Sequence, residues 1–243
     1  MENRLSTKDI PARDRLIVAL DLPTHDEAYQ LVEQLGDACT FYKVGLELFL
    51  AGNYQVLVRS LVEDRGKKVF IDLKLFDVPE TVHNAVRQLE GCGATFATVH
   101  GNDAMLAASC QARKELKILA VTVLTSLDQA DIQDLGFECS VEELVVSRAR
   151  RAVEIGCDGV IASGREAPAL RSQLGEGFLI VSPGIRPVSN DVDDDDQKRV
   201  SAPEDAFLGG ADYIVVGRPI REAPDPRAVG ETIQATITRL FDA

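Results

Sequence analysis

The sequence lacks the patterns that mark several common classes of protein. No Cys-x-x-Cys pair occurs in its 243 residues, and no apolar run approaches the length of a membrane span. The first residues contain no apolar signal region. We therefore expect a cytoplasmic protein without membrane segments, disulfide framework or zinc site. The cysteines are odd in number and scattered: Cys39, Cys92, Cys110, Cys139 and Cys157.

Basic residues are also scarce. The 26 Lys and Arg residues face 39 Asp and Glu residues, which gives a formal net charge of −13 and a pI near 4.7. This acidity argues against general binding to nucleic acid or to acidic membranes. An anionic small molecule would need a local basic pocket. Hydrophobic residues make up 45% of the chain, enough for a sizeable core, and we expect a single domain over 1–243.

Short apolar segments alternate with helical stretches along the whole chain. Strict alternation of strand and helix predicts a parallel sheet, and eight such units in this length match an α/β fold of the (β/α)₈ TIM barrel type. An open, doubly wound sheet is the alternative, but no Gly-x-Gly-x-x-Gly turn follows the first strand. Residues 1–14 would form an N-terminal extension. The predicted strands are 15–21, 40–45, the first half of 68–81, 94–100, 117–124, 159–163, 178–182 and 212–217.

The stretch 68–81 holds an unusual group of charges. Side chains alternate along a strand, so Phe70, Asp72 and Lys74 are predicted to share one face, and Asp77 follows three residues later. A lone Asp-x-Lys at a strand end is usually an ordinary salt bridge. A buried carboxylate–ammonium–carboxylate cluster is costly unless every charge is paired, and proteins usually place such a cluster at a site of chemistry.

Polar groups stand at the ends of most of the predicted strands. In a barrel those ends share one rim, where active sites lie. Polar residues at strand ends can also be simple loop starts, and for His100 and Ser163 alone that interpretation is adequate. It does not explain Lys43, which shares a strand face with Phe41 as Asp72 shares one with Phe70. The groups are Asp21, Lys43, Asp72 with Lys74, His100, Thr125 with Ser126, Ser163, Arg186 and Arg218.

The last two strands lead into segments suited to a phosphate group. Gly217 allows close approach of the backbone to an anion, and Arg218 supplies a bidentate cation. Residues 182–199 are long and polar, and we interpret 186–199 as a lid that closes on bound phosphate. Arg186 and Gln197 are its candidate ligand contacts, whereas the acidic run 193–196 is most simply a solvated surface.

Together these segments resemble the orotidine 5′-phosphate decarboxylase family, in order and over essentially the whole chain. One departure is Glu80, where the family often has Asn. The matching stretches are Ala-Leu-Asp at 19–21, Tyr-Lys-Val-Gly at 42–45, Asp-Leu-Lys-Leu-Phe-Asp-Val-Pro-Glu-Thr at 72–81, Leu-Thr-Ser at 124–126, Pro-Gly-Ile-Arg at 183–186, Asp-Gln-Lys-Arg at 196–199 and Val-Gly-Arg-Pro at 216–219.

The resemblance implies a carboxy-lyase that converts orotidine 5′-phosphate to uridine 5′-phosphate, the last step of de novo pyrimidine nucleotide synthesis, without cofactor or metal. Lys74 would stabilise and protonate a carbanion at C6 of the pyrimidine. The resemblance also implies a homodimer with active sites shared across the interface. The implied catalytic network is Lys43, Asp72, Lys74 and Asp77, with Asp77 reaching the neighbouring subunit's site.

The resemblance also implies a set of substrate contacts. Asp21 and Lys43, with Thr81 from the partner, would hold the ribose hydroxyls, and Thr125 and Ser126 would meet the pyrimidine edge. Asp72 would lie close to the substrate carboxylate. The remaining contacts, mainly to phosphate, would be Pro183, Arg186, Gln197, Gly217 and Arg218.

Two other functions remain open from the sequence. A related barrel that decarboxylates or cleaves a sugar phosphate would keep the Asp-x-Lys-x-x-Asp core but use magnesium. A non-catalytic nucleotide-binding barrel would be expected to have lost one of the four network charges, and none is missing here.

Overall fold

Eight parallel strands close into a barrel in sequential order, which confirms the predicted (β/α)₈ fold and excludes the open sheet. The computed structural model describes residues 4–187 and 199–242. The strands are β1 Leu16–Ala19, β2 Phe41–Gly45, β3 Lys68–Leu75, β4 Phe96–Val99, β5 Lys117–Val121, β6 Gly159–Ile161, β7 Leu179–Ser182 and β8 Tyr213–Val216.

Helices lie between the strands and pack their apolar faces on the outside of the barrel. The first helix has a side-chain cap at its start and a glycine at its end: Thr24 caps it through its side chain, and Gly36 ends it with a positive φ of 54°. The helices are α1 His25–Leu35, α2 Leu46–Leu50, α3 Tyr54–Arg59, α4 Pro79–Glu90, α5 Asp103–Ala112, α6 Gln129–Asp134, α7 Val141–Ile155, α8 Ala167–Leu174, α9 Pro203–Leu208, α10 Arg218–Arg221 and α11 Pro226–Phe241. A 3₁₀ turn spans Ala12–Asp14, and a π-helical turn, Ser60–Asp64, follows α3. None of the helices in the described part of the chain is long and apolar enough to cross a membrane.

The inside of the barrel is filled by a separate apolar cluster with an aromatic layer. Phe41, Phe96 and Tyr213 meet with ring centroids 5.2 to 6.0 Å apart, and Phe70 stacks edge-on against Phe96. Because side chains alternate, the next inward positions along these strands lie one layer nearer the mouth. The aromatic layer is therefore the floor of any cavity at the mouth.

Most of the predicted strands end later in the sequence, nearer the mouth of the barrel, than the observed strands do. The fifth strand was predicted over 117–124 but ends at Val121, and the first was predicted over 15–21 but ends at Ala19. Beyond these two ends, at 20–21 and at 122–124, the chain continues at the mouth outside the regular sheet. The prediction of strand existence was correct and the prediction of these ends was wrong.

The strand that carries the charged stretch is irregular. Its pairing with β4 shifts register between Ile71 and Leu75, and Lys74 has a left-handed φ of 49°. A lysine rarely adopts this backbone conformation, and non-glycine residues that do so concentrate at functional sites. The regular alternation expected for this strand therefore holds through Asp72, and a local bulge sets the direction of Lys74.

The opposite end of the barrel is closed by the N-terminal segment and a second charged cluster. Asp212, directly before β8, accepts hydrogen bonds from Ser6 Oγ at 2.5 Å and Lys8 Nζ at 3.0 Å. Arg171 Nη2 lies 2.7 Å from the other carboxylate oxygen, and Arg15 donates to the Asp212 carbonyl. We call Ser6, Lys8, Arg15, Arg171 and Asp212 the base cluster.

Candidate active site

A cavity of about 750 Å³ opens at the mouth of the barrel, at the carboxyl ends of the strands. It is lined by residues from six strands, from the loops at the mouth and from α2 and α10. Its size suits a mononucleotide-sized ligand. Ten of the residues predicted from the sequence line it: Asp21, Lys43, Asp72, Lys74, Thr125, Ser126, Pro183, Arg186, Gly217 and Arg218.

The wall formed by β1, β2 and β3 carries a chain of alternating charges. Lys43 Nζ lies 2.8 Å from Asp21 Oδ1 and 3.4 Å from Asp72 Oδ2, and Lys74 Nζ lies 2.9 Å from the same Asp72 oxygen. We call Asp21, Lys43, Asp72 and Lys74 the mouth cluster. Asp72 is buried, whereas the Lys74 side chain is 35% exposed and lines the cavity. The cluster thus holds one ammonium at the edge of the open space.

The pKa values of Lys43 and Asp72 are both shifted so that the charged form is favoured. Burial acts to lower the pKa of Lys43, but the Asp72 and Asp21 carboxylates outweigh it and the pKa is raised. Burial acts to raise the pKa of Asp72, but Lys43 and Lys74, with hydrogen bonds from Lys74 and Thr98, outweigh it and the pKa is lowered. Both groups are therefore ionised at neutral pH.

Thr98 on β4 belongs to this wall and was not among the predicted residues. Its hydroxyl donates to Asp72 Oδ1 at 2.9 Å and accepts the backbone N–H of Lys74 at 2.9 Å. It therefore fixes both the carboxylate and the left-handed turn at Lys74. A signal was present in the sequence, since Thr98 follows the inward-facing Phe96 by two residues.

Two further residues shape the wall around Asp21. At Gly45 an added Cβ would lie 3.1 Å from Asp21 Oδ1 and 3.3 Å from Lys43 Nζ, so a side chain there would press on this ion pair. Arg221 of α10 lines the cavity and donates to the Asp21 carbonyl at 2.5 Å. Neither role could be assigned from the sequence, although Gly45 lies within the Tyr-Lys-Val-Gly motif.

Asp77 and Thr81 lie beside the main cavity and do not line it. They line a smaller cavity of about 330 Å³ together with Lys74 and apolar side chains. Asp77 Oδ1 accepts the N–H of Val78 at the start of α4. Both residues are exposed. Glu80, the departure from the family pattern, lines neither of these two cavities and accepts a hydrogen bond from Asn84.

The phosphate end predicted after β7 and β8 is partly described. Pro183 and Arg186 line the cavity from the β7 side, and Gly217 and Arg218 line it where α10 begins. A β-bridge joins Ile185 to Ser201 at the base of the predicted lid 186–199. Gln197 and the acidic run 193–196 lie outside the described residues.

His100 and Ser163 agree with the simpler interpretation, in which a polar residue at a strand end only begins a loop. The Ser163 hydroxyl accepts the backbone N–H of Arg165, and the His100 ring packs edge-on against Phe76. Neither lines the main cavity. Within the described ranges, no group of three or more His, Cys, Asp or Glu side chains is placed to hold a metal ion.

The arrangement combines three chemical capabilities in one cavity. An ammonium held by buried carboxylates can stabilise developing negative charge or deliver a proton. The guanidinium of Arg218 beside the start of a helix can bind a dianion. Thr125 and Ser126 offer hydroxyls to a heterocycle.

Comparison with known proteins gives a consistent result. The model of the Orotidine 5'-phosphate decarboxylase / HUMPS family matches residues 14–233. A protein from Methylococcus capsulatus named orotidine 5'-phosphate decarboxylase is 59% identical over 243 residues, the full length of both chains. One of the same name from Nitrobacter winogradskyi is 49% identical, covering 96% of this chain and 95% of that protein.

A solved structure agrees with these sequence matches. The crystal structure of orotidine 5'-phosphate decarboxylase from Lactobacillus acidophilus superimposes with a TM-score of 0.80 at 36% identity, covering 92% of this chain and 99% of that one. The resemblance inferred from the motifs is thereby confirmed. The chain belongs to the orotidine 5'-phosphate decarboxylase / HUMPS family.

Proposed function

We propose that this chain is an orotidine 5′-phosphate decarboxylase, a carboxy-lyase that forms uridine 5′-phosphate in pyrimidine nucleotide synthesis. The observation that carries the proposal is the mouth cluster, which presents the Lys74 ammonium to the same cavity that Arg218 lines. The names of the full-length relatives agree with this activity. The cytoplasmic location and the absence of nucleic-acid binding stay predictions from the sequence.

Lys74 is the proposed proton donor. Loss of CO₂ breaks the bond from C6 to the carboxylate carbon and leaves the electron pair on C6, which has no adjacent electron sink. The Lys74 ammonium stabilises this charge and then transfers its proton to C6. At about 4 Å and an effective dielectric near 20, such a pair contributes roughly 4 kcal/mol. Enzymes commonly lower barriers by about 8–23 kcal/mol, so Lys74 supplies only part of the catalysis.

Asp72 and Thr98 position the proton donor. Asp72 binds Lys74 Nζ at 2.9 Å, and Thr98 holds both the Asp72 carboxylate and the Lys74 backbone. The carboxylate keeps the ammonium charged and aimed at the cavity. Lying near the substrate carboxylate, Asp72 would also add like-charge repulsion that is relieved when CO₂ leaves.

The rest of the barrier reduction comes from binding energy. Arg218, the Gly217 amide and Arg186 bind the phosphate, and Asp21 with Lys43 binds the ribose hydroxyls. Contacts to these non-reacting parts of the substrate draw it against the mouth cluster and displace water. Thr125 and Ser126 hold the pyrimidine edge, and Pro183 packs on the ligand.

A homodimer with shared sites accounts for the placement of Asp77 and Thr81. These two polar residues stand among exposed apolar side chains that a second copy of the chain would cover. The apolar side chains have exposed fractions of 46–80%: Leu46, Phe49, Leu50, Phe76 and Val78. Because the smaller cavity also contains Lys74, a partner docked there would bring its own Asp77 and Thr81 to the edge of the active site.

Mixing two inactive variants tests the sharing of sites. In a homodimer of the Lys74→Ala protein, both active sites lack the lysine. In a homodimer of the Asp77→Ala protein, both lack the aspartate that the partner supplies. A hybrid dimer would contain one site with both residues intact, so mixing should restore part of the activity. Absence of recovery after hybrid formation has been verified by mass spectrometry would count against shared sites.

The activity itself is tested by following the absorbance of orotidine 5′-phosphate with and without EDTA. Turnover at the same rate in both conditions is the expected result. Loss of turnover in EDTA would instead favour a magnesium-dependent sugar-phosphate enzyme of the same family. Nucleotide binding without turnover in either condition would favour a non-catalytic barrel.

A further inference from the structure

An arginine outside the cavity connects the loops after three consecutive strands. Arg199 Nη1 pairs with Glu166 Oε1 at 2.5 Å, and Arg199 Nη2 donates to the carbonyls of Val123 at 2.9 Å and Leu124 at 2.8 Å. Glu166 follows β6, Arg199 follows β7, and the two carbonyls follow β5. Arg199 does not line the main cavity, whereas Val123 and Leu124 do.

The geometry uses the particular shape of a guanidinium. One planar group serves a carboxylate and two consecutive carbonyls, which a compact ammonium cannot do from a single position. Both side chains are largely buried, with exposed fractions of 11% for Arg199 and 7% for Glu166. The other Glu166 oxygen accepts the N–H of Ser163 at 2.7 Å, so the carboxylate is itself fixed to the end of β6.

A second arginine binds the backbone carbonyl of the residue before Val123. Arg148 of α7 donates to the Thr122 carbonyl at 2.6 Å, and the Thr122 hydroxyl donates to the Ile161 carbonyl at 2.7 Å. Three consecutive carbonyls beyond the end of β5, at 122–124, are therefore held by two guanidinium groups. Buried carbonyl groups that have left a sheet need such donors, and these donors fix the path of the chain. Thr125 and Ser126 come next.

We propose that Arg199, aligned by Glu166, is a positioning residue for the pyrimidine side of the active site. It fixes the Val123 and Leu124 backbone and thereby the direction in which Thr125 and Ser126 face the cavity. The inference rests on the proposed function, because it assigns Thr125 and Ser126 to the heterocycle. Arg199 acts on the part of the ligand that distinguishes a nucleotide from a sugar phosphate.

This role predicts a ligand-dependent effect of substitution. Calorimetry with uridine 5′-phosphate and with ribose 5-phosphate separates the pyrimidine from the phosphate and ribose. Arg199→Met should weaken binding of uridine 5′-phosphate by about tenfold, the scale of one hydrogen bond between the ligand and a Thr125 or Ser126 hydroxyl that is no longer held in place. Binding of ribose 5-phosphate should stay within about twofold. Arg199→Lys, which keeps the charge near Glu166, should recover part of the loss.

The control variant is Arg239→Met, which removes an exposed ion pair with Glu204 that lines neither described cavity and should change neither affinity. If Arg199→Met weakens both ligands equally, or neither, the proposal is wrong. Should that variant fail to fold, Glu166→Gln carries the same comparison, since it removes the charge that aligns Arg199. Wild-type protein that fails to bind uridine 5′-phosphate would refute the proposed function instead.

Discussion

The barrel holds a buried carboxylate surrounded by cations at each of its ends. At the mouth, Asp72 binds Lys43 and Lys74, and at the base, Asp212 binds Lys8 and Arg171. Charge composition alone does not distinguish these two sites. A buried ion pair is weak evidence for any particular role, so the distinction must come from what surrounds each cluster.

The surroundings differ in two ways. At the centre of the base cluster the exposed fractions of the Asp212 and Arg171 side chains are 0% and 1%, and Arg171 also donates to the Gly210 and Phe178 carbonyls. Lys8, at its edge, is 22% exposed. The mouth cluster borders a cavity, and its terminal cation, Lys74, is 35% exposed and sits on a left-handed backbone. A charge cluster that lines a cavity can act on a ligand, whereas a buried pair such as Asp212 with Arg171, which lines neither described cavity, acts on the fold.

Removing one lysine from each cluster gives the largest expected contrast. Lys74→Ala should lower kcat by at least about a thousandfold, the equivalent of the roughly 4 kcal/mol assigned to its charge. Binding of uridine 5′-phosphate should persist. Lys8→Ala, the matched change at the base, should leave kcat unchanged and lower the free energy of unfolding by about 1 kcal/mol. Steady-state kinetics and urea unfolding measure both, and retained turnover in Lys74→Ala would refute the proton-donor role.

Neutralising the two carboxylates should again lower the free energy of unfolding more at the base than at the mouth. Asp212→Asn leaves the buried Arg171 guanidinium with only the exposed Glu176 carboxylate as a countercharge. It should reduce the free energy of unfolding by about 3 kcal/mol, with kcat per folded molecule unchanged. Asp72→Asn should reduce kcat strongly and stability less, because Lys74 can turn toward solvent. Equal stability losses in both variants would show that the mouth cluster is as much a structural device as the base cluster.

A smaller contrast compares two arginines. Arg218→Ala removes a proposed phosphate ligand and should raise KM by about thirtyfold, as expected for roughly 2 kcal/mol of charge-assisted hydrogen bonding. Arg15→Ala at the base removes donors to Asp212 and Lys8 and packing on the Phe241 ring, and should lower Tm without changing KM. An unchanged KM in Arg218→Ala would place the phosphate site elsewhere.

The sequence predicted the mouth cluster because local rules were sufficient to do so. Strand periodicity puts Phe70 and Asp72 on one face, and the shared rim of a barrel brings Lys43 and Arg218 to the same opening. These inferences need only the position of a residue within its own strand. The eight strands and their order followed from the same kind of information, although their ends did not.

Features that depend on contacts between distant segments could not be predicted. Lys8 and Asp212 are 204 residues apart, and nothing near either residue indicates the other. The bulge at Lys74 arises from pairing with β4, and lysine has no local preference for a left-handed φ. Arg199 stood within a recognised motif, but its acceptors at Val123 and Leu124 are backbone carbonyls, which no residue type marks.

The smallest expected effect concerns acid and the sign of one pKa shift. Because the lysines hold the pKa of Asp72 below its usual 3.8 against the opposing effect of burial, its ionised form stabilises the folded state. That contribution is complete above pH 3.8 and is lost as the pH falls through the lower value of the folded state. The difference in free energy of unfolding between wild type and Asp72→Asn should therefore be constant from neutral pH down to pH 3.8 and shrink below that pH. Urea unfolding across a pH series measures this difference in the free energy of unfolding. If the difference narrowed between about pH 7 and about pH 5, above the range in which a carboxyl usually titrates, burial would outweigh the lysines in setting the pKa of Asp72.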